Sequence, residues 1–383
     1  MPDKELVILH HEPLTKAVRH NFFMDGLEAK GFTILYCDIH PLVIGDMDIC
    51  DQEVVSPSYV TVFSYDQIKR IIAAHRNAVF ILAFDANLKS LPILRYLTRY
   101  DCRTIRMGIH TAINLSFGEK LISIRSYGWN KVPVFLMTLW RRLLFACRTV
   151  FSPLKTVDIF FYCGENSRRL NSGQHMVAIN SFDYEDARQL QRQPNLPDFG
   201  SGRFAVFLDQ YYPYHPDVKI DGGKAPTPAL YFNSLNCFFD RIEQELGLEV
   251  VIAAHPHAVY RNHEFGARKL YKYRTAELVK ASDLVIAHDS MAISFAILYR
   301  QPLYLCYTSE FLKMGRTTMA LMRKNAKQLG CPLIPLDDKY ELALPLVNER
   351  TYAEYQYLYL TSEKSESRFN IDIIADALFT LDR

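Results

Sequence analysis

Three short stretches of the chain end an apolar run on a residue that can carry chemistry. The first is FAVFLDQYYPYHPD, where Asp209 closes the run 204–208. A carboxylate at such a point can take a proton from an attacking hydroxyl. Tyr211, Tyr212, Tyr214, His215 and Asp217 follow at once, and all can hydrogen-bond a polyol. The second is VVIAAHPHAVY, where His255 ends the run and Pro256 stiffens the loop. A histidine there can donate to a phosphate oxygen or protonate a leaving group. The third is DLVIAHDSMAISFAI, which passes from strand to helix pattern at His288, Asp289 and Ser290. Unpaired N–H groups at a helix start attract anions, and Ser290 adds a hydroxyl or serves as the N-cap. Ser294, one turn further, offers a second hydroxyl.

These stretches need elements to position them. Short apolar runs alternate with helical patterns along the whole chain, the signature of strand–helix–strand units. In the first half the runs are 6–9, 32–37, 78–84, 103–109, 157–164 and 176–180, with helical patterns at 14–30, 65–75 and 88–100. Ser64 is placed to cap the second of these helices. Runs at 204–210, 249–256, 283–290 and 302–307 build the second half. Continuous apolar runs suit parallel strands covered on both faces. Parallel strands would bring the three stretches to one sheet edge, around a site the size of a monophosphate or diphosphate.

Residues 186–203, DARQLQRQPNLPDFGSGR, are polar and rich in Gln, Pro and Gly, and read as a linker. The expected layout is α/β: two Rossmann-like domains with parallel sheets facing a cleft, 1–185 and 204–383, with the last helix returning to the first domain. Residues 129–155 break the pattern. They are apolar and aromatic, and their charges, Lys131, Arg141, Arg142, Arg148 and Lys155, are all positive. Two central arginines disfavour a membrane-spanning helix. A basic amphipathic helix lying in the membrane interface is expected, the alternative being a core helix whose arginine stems reach the surface.

Composition narrows the function. The 383 residues are 49% hydrophobic and 22% charged, as in packed globular proteins, and the formal charge is only +2. No global basic field is present to hold nucleic acid. Eight cysteines without a C-x-x-C pair, several in apolar runs, read as thiols of a reducing cytoplasm. The N-terminus lacks the basic and long apolar regions of a signal peptide. No G-x-G-x-x-G or Walker loop occurs, which disfavours a dinucleotide enzyme or an NTPase. His255 and His257 lack a third metal ligand in spacing. Asp46 and Asp48 form a D-x-D, but near no long strand. His10 and His11 end the first apolar run, and His110 follows another.

The order His255-Pro256, then ELVKASDLVIAHDSMAISFA around Ser290, resembles bacterial surface-polysaccharide glycosyltransferases of GT-B type. More narrowly it is similar to transferases of sialic-acid-like sugars and Kdo. The resemblance covers roughly residues 204–307. It implies that the His-Pro histidine and the serine motif engage the phosphate of a CMP-activated donor, and that a carboxylate acts as base, with Asp209 the nearest match. The serine motif often carries two adjacent hydroxyl residues; here Asp289 and Met291 flank Ser290.

The sequence thus predicts a metal-independent glycosyltransferase without a cofactor, since the nucleotide sugar is a substrate. Asp209 and His255 are the expected catalytic pair. His255, Pro256, Asp289, Ser290 and Ser294 are expected to bind the donor, and His10, His11, His110, Tyr214 and His215 to meet the acceptor or sugar. The expected acceptor is a surface glycan or lipid-linked glycan at the inner-membrane surface, met from the cytoplasm. The alternatives are transfer of a polyol phosphate, as in teichoic-acid synthesis, and a non-catalytic nucleotide-sugar or glycan-binding protein.

Overall fold

The structure is a computed structural model and describes residues 4–45, 58–109, 132–193, 199, 202–214, 224–256, 258–260, 263–314 and 316–381. Asp46, Asp48, His110, His215 and His257 lie outside the described residues. Two α/β units are present. Among the described residues the first takes those up to Ile109, Val132–Phe182 and those from Thr361 on, and the second spans Asp183–Leu360.

The first unit holds a parallel sheet of β1 (Lys4–His10), β2 (Phe32–Asp38), β3 (Tyr59–Thr61), β4 (Val79–Ala83), β5 (Arg103–Gly108), β6 (Ile159–Cys163) and β7 (His175–Ile179), in the order 3-2-1-4-5-6-7. The second holds β8 (Phe204–Leu208), β9 (Glu249–Ala253), β10 (Leu270–Tyr271), β11 (Leu284–Ala287), β12 (Leu303–Tyr307) and β13 (Leu333–Pro335), in the order 10-9-8-11-12-13. In both sheets the winding direction reverses beside the first strand, between β1 and β4 and between β8 and β11. That reversal opens a crevice at the carboxyl ends of those strands, where α/β sheets take ligands.

The apolar runs become central strands because both of their faces are covered. On β8, Ala205 and Phe207 pack with Tyr231, Leu235 and Phe239 of the helix Pro228–Leu246. Val206 and Leu208 face the opposite cluster with Ile293, Ala296 and Ile297. The strands that the sequence did not announce, β3, β10 and β13, are two or three residues long and include three of the four sheet edges.

Some elements differ from expectation. The helical pattern at 14–30 is two helices, Lys16–Asn21 and Met24–Ala29, separated at Phe23, whose φ of 54° is left-handed. The break turns both Phe22 and Phe23 toward the core. The first residues of the expected linker belong to a helix, Phe182–Gln191, because Ala187 and Leu190 are buried. The C-terminal helix Asn370–Thr380 packs Ile373, Ile374 and Leu378 into the cluster that holds Leu6 and Ile8. Asn180 and Asn370 fix it by exchanging two hydrogen bonds of 2.8 Å. Ser64 accepts the Gln67 N–H and caps its helix. The described cysteines form no disulfide: Cys37, Cys102, Cys163 and Cys306 are buried, while Cys147 and Cys237 are exposed.

The helix Val132–Phe151 carries Leu136, Met137, Leu139, Trp140, Leu143, Val150 and Phe151 in exposed positions. A helix turns about 100° per residue, which gathers these side chains on one arc. Arg141, Arg142 and Arg148 fall at the margins of the arc. Phe145, on the far side, packs into the core of the first unit. The helix is therefore not a core helix. Among the described residues no helix is long and apolar enough to cross a membrane.

Candidate functional site

The three stretches meet at the carboxyl edge of the second sheet. Asp209 follows β8, His255 follows β9 and its neighbour Ala254, and His288 to Ser290 follow β11. The parallel register aligns Leu208 with Ala253 and with Ala287, so the loops leave the sheet side by side.

Asp209 is 6% exposed and both of its oxygens are engaged. Oδ1 accepts the Tyr211 N–H at 2.9 Å. Oδ2 accepts the His255 N–H at 3.3 Å and the Tyr260 hydroxyl. Burial pushes the Asp209 pKa up, and these donors pull against it. Tyr211 has a left-handed φ of 54°, a conformation that costs a non-glycine residue about 1 kcal/mol or more and gathers at functional loops. The bonds from Tyr211 N to Asp209 and from Tyr211 Oη to Val259 O at 3.3 Å hold it there.

Gln210 and Asp289 span the reversal between β8 and β11. The Asp289 N–H donates to Gln210 Oε1 at 3.1 Å, and Gln210 Nε2 donates to Asp289 Oδ1 at 3.1 Å. The Tyr212 hydroxyl donates to the same carboxylate oxygen. Burial raises the Asp289 pKa and the two donors oppose it. Beneath them His288 is fully buried. Its Nδ1–H donates to the Cys306 carbonyl at 2.6 Å, so Nε2 accepts the Tyr231 hydroxyl at 3.0 Å. Burial pushes the His288 pKa down to about 4, and the ring is neutral near pH 7. His288 is a support for the loop and does not reach solvent.

Ser290 does not cap the following helix as expected. That helix, Ile293–Leu298, starts later with Ala292 as its N-cap, and Ser290 Oγ accepts the Ala292 N–H at 3.2 Å. The N–H groups of Ile293, Ser294 and Phe295 bond the carbonyls three residues back. This tight first turn uses the donors that an open helix end would offer an anion. Ser294 is 1% exposed, and its hydroxyl is bonded to Asp183 and to the Met291 carbonyl at 2.8 Å. Pro256 is exposed, and its carbonyl accepts Lys272 Nζ at 3.2 Å. Tyr214 is 39% exposed and stacks on Phe232, with ring centroids 6.2 Å apart.

The histidines His10 and His11 lie at the carboxyl edge of the first sheet, a site described by itself. His10 is buried, and its Nδ1 pairs with the Tyr36 hydroxyl at 2.7 Å; Tyr36 in turn donates to the Glu12 carbonyl at 2.7 Å. Because Tyr36 gives its proton to Glu12, the His10 Nδ1–H donates to the Tyr36 oxygen, and burial with the neighbouring His11 lowers the His10 pKa to about 3. His11 Nδ1 donates to the Ala83 carbonyl, 2.6 Å away across the reversal between β1 and β4. Its Nε2 is left with a lone pair, 3.7 Å from Glu12 Oε1.

Sequence reasoning passed over Gln210, Tyr260 and His288 as working parts. It also missed Asp38 and His40, which pair at 2.9 Å at the carboxyl end of β2. Gln210 carried a signal, since it directly follows Asp209 at a strand end. Tyr260 carried none, since its reach back to Asp209 is set by the loop after β9. Among the described residues no group of three or more His, Cys, Asp or Glu residues could hold a metal ion.

No protein-family model and no curated protein matches the chain. Solved structures do match in fold. CalG4, the calicheamicin glycosyltransferase, is similar with a TM-score of 0.53 at 11% identity, with 100% of both chains covered. The glycosyltransferase of kitacinnamycin is similar at 0.51 and 11% identity, over 99% of this chain and 100% of that one. A variant of the wall teichoic acid polymerase TagF gives 0.51 at 12% identity, over 100% of this chain and 91% of that one. Two parallel-sheet α/β units of seven and six strands, matched end to end by these enzymes, give the chain the GT-B fold.

Proposed function

We propose that the protein transfers a sugar from a nucleotide-linked donor whose phosphate binds at the carboxyl edge of β8, β9 and β11. One observation carries the proposal. The Gln210–Asp289 pair and the Asp209–His255 bond tie three loops together at the point where α/β sheets take ligands. Ser290 turns its oxygen to the Ala292 N–H, and its hydroxyl proton serves the phosphate. His255 donates to the same phosphate and stabilises the charge that grows on it as the sugar leaves. Burial and three donors on Asp209 support a positioning part for it, in place of the base. His11 suits the base better. The bond to Ala83 fixes its tautomer, Nε2 can accept the acceptor's proton, and Glu12 stabilises the cation that forms.

The His255-Pro256 and Ser290 motifs support a CMP donor carrying a nonulosonic acid or Kdo. The exposed apolar arc of the helix Val132–Phe151, with arginines at its margins, supports an acceptor met at an anionic membrane surface. A lipid-linked or growing surface glycan fits that setting. The fold shared with a teichoic acid polymerase keeps polyol-phosphate transfer as the second reading.

The test is a thermal-shift panel of CMP, CDP, UDP and GDP, with donor hydrolysis followed beside it. A ligand of the native state raises the apparent stability, and CMP is expected to raise it most. A larger shift with UDP removes the CMP donor and leaves glycosyl transfer standing. No shift with any nucleotide and no donor hydrolysis removes the transferase. Activity is expected to persist in EDTA; a loss restored by manganese would assign Asp46 and Asp48 to a metal.

A further inference from the structure

Arg106 stands near the carboxyl end of β5, opposite Phe160 of β6 in the register. Side chains alternate along a strand, so it shares a sheet face with Thr104. This face does not close over it. It opens on a cavity of about 380 Å³ within the first unit, lined by Leu94, Leu97, Arg106, Leu154 and Phe160 among others. Thr156, Asn171 and Ser172 bring polar groups to the same cavity and are exposed at its mouth.

The two cations of this cavity differ. Lys155 is compensated: its Nζ lies 3.0 Å from Asp101, 3.2 Å from Asp158 and 3.0 Å from the Cys102 carbonyl. The Arg106 guanidinium has no hydrogen-bond or ion-pair partner among the described residues. Its contacts are the Phe84 ring, 5.9 Å from the guanidinium carbon, and the distant pull of Asp85. Burial lowers its pKa, yet an arginine does not give up its proton in a protein. A partly desolvated cation with five unused donors is costly unless something accepts them. An apolar residue would fill this position at less cost.

We propose that this cavity binds a phosphate monoester on an apolar carrier, with the phosphate held by the Arg106 guanidinium. The planar fork of arginine matches two phosphate oxygens. A phosphate has a further oxygen for the hydroxyl and amide groups at the mouth, which a carboxylate lacks. The leucines and Phe160 form the wall for the carrier. Continuity with the exposed arc of the helix Val132–Phe151 points to a lipid as that carrier. Arg95 Nη2 bonds the Arg148 carbonyl at 3.4 Å and ties the end of that helix to the helix Leu91–Arg99, whose Leu94 and Leu97 line the cavity. Leu154, three residues beyond the exposed Phe151, lines it too. A free phosphate ion shares the head-group chemistry and lacks the apolar part.

The full chain and its Arg106→Met variant are titrated calorimetrically with octyl phosphate below its micelle concentration, with inorganic phosphate and with octyl glucoside. Thermal shifts are read in parallel. Octyl phosphate is expected to bind the wild type at one site and raise its Tm. Inorganic phosphate is expected to bind more weakly, and octyl glucoside not to saturate. Arg106→Met is expected to keep its circular dichroism and bind octyl phosphate roughly 10- to 100-fold more weakly, the loss of a charge-assisted hydrogen bond. If Arg106→Met fails to fold, Arg106→Lys carries the test: it keeps the charge, loses the fork and is expected to bind more weakly than wild type. No saturable octyl phosphate binding by wild type overturns the proposal, as does a folded Arg106 variant that binds as tightly. Equal affinity for inorganic phosphate overturns the apolar carrier. The cavity lies within the first unit, so a failed nucleotide panel leaves this proposal standing.

Discussion

Gln210 and Asp289 hold each other by two hydrogen bonds of 3.1 Å, one from each residue, across the reversal between β8 and β11. Asp289 is not a free carboxylate waiting for a ligand. It is the centre of a brace that also takes the Tyr212 hydroxyl. Gln210→Leu removes both bonds and leaves the Asp289 N–H without its acceptor. Unfolding in urea should show a loss of about 1–3 kcal/mol, and the nucleotide-induced thermal shift should shrink with it. An unchanged shift in a destabilised variant would separate the brace from the donor site.

Asp209→Asn tests position against catalysis. Asparagine keeps one acceptor oxygen and turns an N–H₂ toward donors, so stability should fall by about 1–3 kcal/mol and nucleotide binding should weaken. His11→Ala should do the reverse: transfer falls by about 10²- to 10⁴-fold while the nucleotide shift is kept. If Asp209→Asn abolishes transfer with stability and nucleotide binding intact, the base is Asp209 and not His11.

Stability should depend on pH through two buried histidines. The pKa values of His10 and His288 are pushed down to about 3 and about 4 by burial. An unfolded histidine titrates near 6.5, so below that pH the unfolded chain binds more protons. Stability is then complete above pH 6.5 and is lost as pH falls toward the folded values, by about 1.4 kcal/mol per unit and site. Asp183, raised to about 6 by burial, acts with the opposite sign below pH 6. The comparison is therefore between proteins. His288→Gln should flatten the slope of the urea midpoint between pH 6.5 and 5, and identical slopes would show that His288 does not titrate as argued.

The intact protein should sediment with anionic liposomes at low salt and leave them as salt rises, since surface charges are screened within about 10 Å at 0.1 M. Each arginine near such a surface contributes about 1 kcal/mol. Replacing Arg141, Arg142 and Arg148 by Gln should lower the partition coefficient accordingly. Trp140, 61% exposed, reports insertion by a blue shift of its fluorescence. Failure to bind at low salt would leave the apolar arc for a protein partner.

Gly108 gives a check on the packing beside β5. A Cβ there would meet Ser167 Oγ at 2.7 Å and the Phe160 ring at 2.9 Å. Gly108→Ala should cost about 1–3 kcal/mol by overpacking, seen as a lower urea midpoint; a neutral result would mean that the Phe160 ring moves freely.

The sequence by itself determined the longer strands and the sheet edge where they end. Runs such as 204–208 and 250–253 are apolar at every position, and only a strand covered on both faces buries all of them. Asp209 and His255 were legible because each is the first polar residue after such a run, and Ser290 because it closes the polar triplet His288-Asp289-Ser290 after another. The basic helix was legible too, since arginines interrupt its apolar residues. Partners were not legible. Tyr260 reaches Asp209 from 51 residues away, and Ser294 is taken by Asp183 from 111 away. Sequence spacing holds no information on such pairs, because they form only when separate loops are set side by side by the sheet. The tertiary structure alone decided that Asp209 is enclosed by donors, that the turn after Ser290 spends its own N–H groups, and that Arg106 faces a cavity without a hydrogen-bond or ion-pair partner among the described residues. Each depends on which groups are left unsatisfied after packing, and that is a property of the folded chain.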